Sequence, residues 1–162
     1  MSTPEFHLQR VSDEYTRFRT VIDASPADQL DYRPDPKARS ARELIGHLIG
    51  HIQDLIELID DKIIHHRNVV QFDAVPDALE LFDQSYKEFE GKLASLDESG
   101  WEQSGDFFAG EHLVMSAPTQ VLLWEFFLDS IHHRGQLSTY LRPMGGKVPA
   151  IYGPSADDPG GH

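Results

Sequence analysis

Apolar side chains recur at three- and four-residue steps in three stretches of this chain, and the first half of a fourth, Leu122 to Leu141, is almost all apolar. Leu8, Val11, Tyr15, Phe18 and Ile22 mark the first, and the spacing predicts a helix from about Pro4 to Ala24. Leu44, Leu48, Ile52, Leu55 and Ile59 mark the second. It opens at Ser40, which forms a capping-box pattern with Glu43, and is expected to end near His65, His66 and Arg67, where cations suit the negative end of the helix dipole. Leu79, Phe82, Tyr86, Phe89, Leu93 and Leu96 mark the third, from about Pro76 to Asp97. The fourth begins near Pro118, a good first-turn residue, and runs to about Leu141, ahead of Pro143 and the Gly145-Gly146 pair.

Between these stretches lie breakers. Ser25-Pro26 ends the first helix, and YRPDPKARS reads as a loop with two prolines. ESGWEQSGDFFAGEHLVMSAP reads as a long polar, glycine-rich connection, with only a weak hairpin signal over Phe107 to Met115. The tail KVPAIYGPSADDPGGH is rich in proline and glycine, with Ile151 and Tyr152 as its expected anchors. No repeat or internal boundary is visible. The expectation is one domain over residues 1–162, all-α, built as a four-helix bundle with helices each about 30 Å long.

Composition narrows the function classes. Hydrophobic residues make up 40% and charged residues 25%, an ordinary globular balance. The formal net charge of -13 argues against nucleic acid and against anionic membrane surfaces, both of which demand lysine and arginine. No stretch is apolar for long enough to span a bilayer, and MSTPEFHLQR lacks the apolar run of a signal peptide, so the expected compartment is the cytoplasm. The chain has no cysteine, which excludes disulfides, thiolate metal sites and a cysteine nucleophile. Any thiol chemistry must use a thiol from a small molecule.

The candidate chemistry sits on the fourth and second segments. In LLWEFFLDSIHHRGQLSTYL, Asp129 and His133 stand at i and i+4, so a helix presents them one turn apart on one face, which Gln136 and Tyr140 extend. A carboxylate turned to the core is costly unless paired or coordinated. On the second segment His47 and His51 form another i, i+4 pair. If the two segments are neighbours, His47, Asp129 and His133 supply two imidazoles and one carboxylate, a set used by zinc enzymes and equally by non-haem iron sites. Ligand chemistry alone does not choose between these metals. The plainer reading is an Asp129 paired with an arginine and a His133 that completes a structural network. His65 and His66, at an expected helix end, and His132, about 100° around the helix from His133, carry less weight as ligands. No phosphate-binding glycine loop, GxSxG elbow or serine triad is present.

Two motifs carry a resemblance. HHRGQLSTYLRPMGGKVP, His132 to Pro149, is similar to the C-terminal signature of the DinB-like (YfiT-like) family of four-helix-bundle metalloproteins, and SARELIGHLIGH, Ser40 to His51, resembles its second-helix motif. Helix order and spacing agree, so the likeness spans nearly the whole chain. The resemblance implies that His47 and His133 are metal ligands. It also implies a histidine four residues before His133, where this chain has Asp129; His51 is then a substitute ligand. Further implications are a zinc or nickel ion (with iron or manganese as other divalent choices), a homodimer, and in some branches transfer or isomerisation dependent on an external low-molecular-weight thiol. On that reading Gln136 and Tyr140 orient a substrate or an outer water, and His132 or His51 relays protons. The competing expectation is a non-catalytic dimeric ligand-binding or interaction module with a decayed metal site, in which Asp129 pairs with Arg134 or Arg142 of a second copy of the chain.

Overall fold

The capping box at Ser40 is formed. The Ser40 hydroxyl accepts from the Glu43 amide at 3.2 Å, and the Glu43 carboxylate accepts from the Ser40 amide at 2.7 Å. That closes the start of α2, Ala41–Asp61. The computed structural model describes residues 3–66 and 69–160. Three other long helices flank α2: α1 over Thr3–Asp23, α3 over Val75–Ser95 and α5 over Thr119–Tyr140. A short α4 covers Glu98–Glu102. At α3 the Ala74 amide donates to the Asp77 carboxylate at 2.9 Å, with Pro76 in the first turn.

Helix α2 packs against α3 on one side and α5 on the other, and α1 touches both α3 and α5. The apolar stripes meet inside this arrangement. Phe18, Ile22, Leu48, Ile52, Phe82, Tyr86, Phe89 and Phe127 are all fully buried. Each such side chain contributes about 1.5–3 kcal/mol relative to exposure, so the core needs no cross-link. Polar positions inside it are partnered. Arg134, 2% exposed, pairs with the Glu14 carboxylate, lies over the Phe18 ring and donates to the Tyr152 hydroxyl at 2.6 Å. Tyr152 also donates to Glu14 at 3.0 Å, and Arg17 donates to the Ile151 carbonyl at 3.2 Å, which ties the tail to α1 and α5 as its two expected anchors suggested.

The all-α expectation needs correction. The chain is mostly helical, with a small three-stranded sheet in the order β1-β2-β3: β1 over Ile63–His65, β2 over Ser104–Ala109 and β3 over His112–Pro118. β1 runs parallel to β2, with Ile64 opposite Phe107; β2 and β3 form an antiparallel hairpin with a bulge after Phe107 and Gly110 at φ 63° in its turn. The hairpin is longer than the weak signal over Phe107 to Met115, and the presumed connection of residues 98–118 is α4 plus this hairpin. Helix α2 also ends earlier than the pattern predicted. Lys62 adopts the left-handed conformation at φ 60°, its amide bonds back to the Leu58 carbonyl, and the chain turns into β1 before His65.

Two glycines mark close approaches. A Cβ on Gly46 would lie 2.2 Å from the Val70 carbonyl oxygen, which lets the segment around Val70 press onto α2 beside His47. A Cβ on Gly105 would lie 2.8 Å from Leu58 Cδ1, so β2 crosses directly over the end of α2. Among the described residues no helix is long and apolar enough to cross a membrane.

Candidate metal centre

Because α2 and α5 are packed neighbours, their histidine-bearing faces meet. His47 Nε2 lies 3.1 Å from His133 Nε2 and 3.1 Å from His51 Nε2. Asp129 Oδ2 lies 3.3 Å from His51 Nε2 and 3.3 Å from His133 Nε2. The four ligand atoms are all within 4.8 Å of one another. The three imidazoles are buried, while the Asp129 side chain is 51% exposed and stands at the rim. The sequence reading had this carboxylate facing the core; its position one turn before His133 instead carries it to the edge of the cluster.

Outer contacts prepare His133. Gln136 Oε1 lies 2.9 Å from His133 Nδ1, and Gln136 Nε2 lies 2.9 Å from His132 Nε2. A side-chain amide oriented this way accepts from His133 Nδ1–H, so His133 Nε2 is left as a bare lone pair aimed at His47. His51 is driven neutral: burial, then the neighbouring His47 imidazole, pushes its pKa down to about 2. Three converging ring nitrogens form a donor set for a borderline-soft divalent cation, and the nearby carboxylate offsets part of its charge.

A second set shares His51. Asp54, one turn further along α2 and buried, has its Oδ2 2.9 Å from His66 Nδ1, and His51, Asp54 and His66 bring ligand atoms within 4.8 Å of one another. His66 directly follows β1, where the sequence pattern expected a helix end remote from any site. His51 Nδ1 is buried without a hydrogen-bond partner among the described residues.

A cavity of about 300 Å³ opens beside both sets, lined by His51, His66, Phe107, Met115, Val121, Glu125, Phe126 and Asp129. Its walls come from α2, the segment after β1, the hairpin and α5. The remaining predicted residues lie further out. His132 is exposed; it is bonded to Gln136, and its ring meets that of His133 edge-on at 5.3 Å. Tyr140 turns to the Arg39 carbonyl at 3.2 Å and packs edge-on against Tyr32. Arg134 and Arg142, the expected partners of Asp129 across a dimer of the non-catalytic module, pair within the chain with Glu14 and Asp157.

The DinB family profile matches residues 1–160. The chain belongs to the DinB family.

Two solved DinB-like proteins share its fold at low identity. The one from Bacillus cereus ATCC 10987 is 19% identical with a TM-score of 0.75, over 90% of this chain and 95% of that one. The one from Bacillus subtilis is 18% identical with a TM-score of 0.69, over 86% of this chain and 92% of that one. The mycothiol-dependent maleylpyruvate isomerase is also similar in fold, at 10% identity and a TM-score of 0.55 over 91% of this chain; this chain spans 63% of the isomerase's length. No curated protein sequence matches the chain. At these identities the likenesses establish the fold and leave the reaction to the site.

Sequence reasoning missed Asp54, Glu125 and the aromatic walls of the cavity, and set His66 aside as a helix-end residue. Asp54 had a signal, since it stands three residues after His51 on the same helix face. His66 had none, because only the left-handed turn at Lys62 and the β1–β2 pairing bring it back over α2.

Proposed function

We propose that this DinB-family protein is a divalent-metal protein in which His47, His51, Asp129 and His133 hold one zinc or nickel ion, and that it acts on a small molecule with the help of an external thiol. The observation that carries the reading is the convergence of three buried imidazole nitrogens and a rim carboxylate from two helices. We read the four long helices as the family's bundle, with the hairpin as its lid over one end of the site. A bound divalent ion would lower the pKa of a thiol or water and so supply a nucleophile near neutral pH.

The chain's own residues do the rest. Gln136 fixes the tautomer of His133 through Nδ1. Phe107 and Phe126, ring centroids 4.9 Å apart and edge to face, keep water from one side of the cavity. His66, held by Asp54 at 2.9 Å, has its ring 5.1 Å from that of His51, within reach of a proton on a cavity occupant. The thiol must come from outside because the chain has none. The fold's occurrence in a mycothiol-dependent isomerase supports this choice of co-substrate. A homodimer, the family's assembly as the resemblance has it, is part of the proposal and is checked by light scattering.

The test is thermal unfolding of metal-free protein with and without added zinc or nickel. An ion that binds only the folded chain at a concentration 100 times its Kd stabilises it by about 2.7 kcal/mol. An upward shift in Tm that disappears in His133→Ala is expected. No shift with zinc, nickel, manganese or iron would favour the non-catalytic module instead.

A further inference from the structure

The cavity beside the metal centre has a charge pattern that selects its occupant. Val121, Glu125 and Asp129 step along α5 by four residues, so they lie in one row along the cavity wall, about 6 Å apart per step. The row ends at Asp129, whose carboxylate belongs to the metal cluster. An occupant that reaches the cluster therefore lays its body against Glu125 and Val121. Phe126 flanks that row on α5, and with Phe107 and Met115 of the hairpin it makes an apolar and largely aromatic surface. The other lining residues are His51, whose ring belongs to the metal cluster, and His66, which is already paired with Asp54. Among the described residues no lysine or arginine lines the cavity.

Recognition of a carboxylate or phosphate in a partly apolar site calls for an arginine, a lysine or a row of backbone amides. The described lining of this cavity presents two carboxylates, within a chain of net charge -13. We infer that the site takes a compact aromatic or aliphatic molecule that is neutral or cationic at the end pointing away from the metal centre, with Glu125 as the residue that selects for the positive charge. At about 300 Å³ the cavity is at the small end of ligand pockets, which suits an occupant the size of a single substituted ring. This inference deepens the proposed metal-dependent function by naming its substrate class, and its charge selection stands on the wall residues alone.

The chain carries its own reporter. Met115 lines the cavity, while Met144 is buried elsewhere in the core. Protein labelled with ¹³C at the methionine methyl groups is titrated at pH 7.5 with benzylamine, benzyl alcohol and benzoate, three probes of one size and different charge. The titration is run on both zinc-loaded and metal-free protein. Benzylamine and benzyl alcohol are expected to shift the Met115 methyl saturably, leaving Met144 unmoved, and benzoate to bind at least tenfold more weakly than benzylamine in both forms. Glu125→Gln is expected to bring benzylamine down to the level of benzyl alcohol. Benzoate matching benzylamine in either form would overturn the inference, as would a Met115 signal that none of the three moves. Failure of zinc uptake with the amine preference intact would count against the metal centre alone; loss of the preference with zinc uptake intact would count against the substrate class alone.

Discussion

His47 and His133 are 86 residues apart in the chain, yet their Nε2 atoms lie 3.1 Å from each other in the space between α2 and α5. Two ring nitrogens at that distance share either one proton or one cation. A third Nε2, from His51, stands 3.1 Å from that of His47, and Gln136 takes the proton of His133 on the opposite ring nitrogen. A shared cation satisfies all three rings together, which a single proton does not.

Gln136 therefore sets metal affinity without being a ligand. Gln136→Leu should leave the circular dichroism spectrum unchanged and weaken zinc binding by about 10- to 100-fold, the usual effect of losing a hydrogen bond to a metal-ligating histidine. Competition against a chromogenic chelator measures this. An unchanged affinity would show that His133 is oriented by packing alone.

Stability of the metal-free protein should fall in acid. The folded-state pKa of His51, about 2, lies below its ordinary value of 6.5, so between these values the unfolded chain binds the extra proton. Stability is then complete above about pH 6.5 and is lost as pH falls below it, by about 2 kcal/mol from this group between pH 7.5 and pH 5. Urea unfolding at the two pH values gives the difference. His51→Leu should flatten the dependence by that amount; a variant with the wild-type slope would contradict the assignment.

How much of this was legible in the chain follows from what each signal depends on. Helices α1 and α3 were readable because each buries one face, which imposes a period of three and four on Phe18 or Phe82; α2, buried without a break from Leu44 to Ile52, and α5 were readable from long apolar runs with clear starts at Ser40 and Pro118. The Ser40–Glu43 cap and the i, i+4 pairs were readable because they are local. The sheet was not. β1 is three residues long and continues the apolar spacing of α2 through Ile63, and the stop between them is a left-handed Lys62, where sequence rules look for glycine or asparagine. His51 was readable as a histidine on the right face, but its membership of the cluster depends on the rotation of α2 against α5, which no local pattern encodes. His66 depends on a parallel strand pairing with residues some 40 positions away, set by tertiary packing alone.

Gly46→Ala should destabilise the fold. The added methyl would stand 2.2 Å from a backbone oxygen, which cannot swing away as a side chain can, so α2 or the segment at Val70 must move. Overpacking of this kind costs about 1–3 kcal/mol. Chemical denaturation measures it, and a variant as stable as the parent would show that the segment at Val70 yields freely. Because His47 is the next residue, a weaker metal affinity should accompany the loss.

Arg134→Met separates stability from the site. It leaves Glu14 buried with one guanidinium partner fewer and releases the Tyr152 hydroxyl, and breaking a buried pair in this way costs about 3–5 kcal/mol. Metal stoichiometry should not change, since Arg134 faces Phe18 and Glu14, away from the cluster. A drop in Tm with full metal uptake is the expected pair of results; lost metal at a temperature where the chain is folded would contradict it.

The most direct measurement is metal content per chain, by mass spectrometry on protein purified without a polyhistidine tag, alongside zinc uptake after stripping. The four-ligand set of His47, His51, Asp129 and His133 predicts one equivalent of a single transition metal, falling to near zero in His47→Ala and His133→Ala. No metal as purified and none taken up on reconstitution would contradict the account.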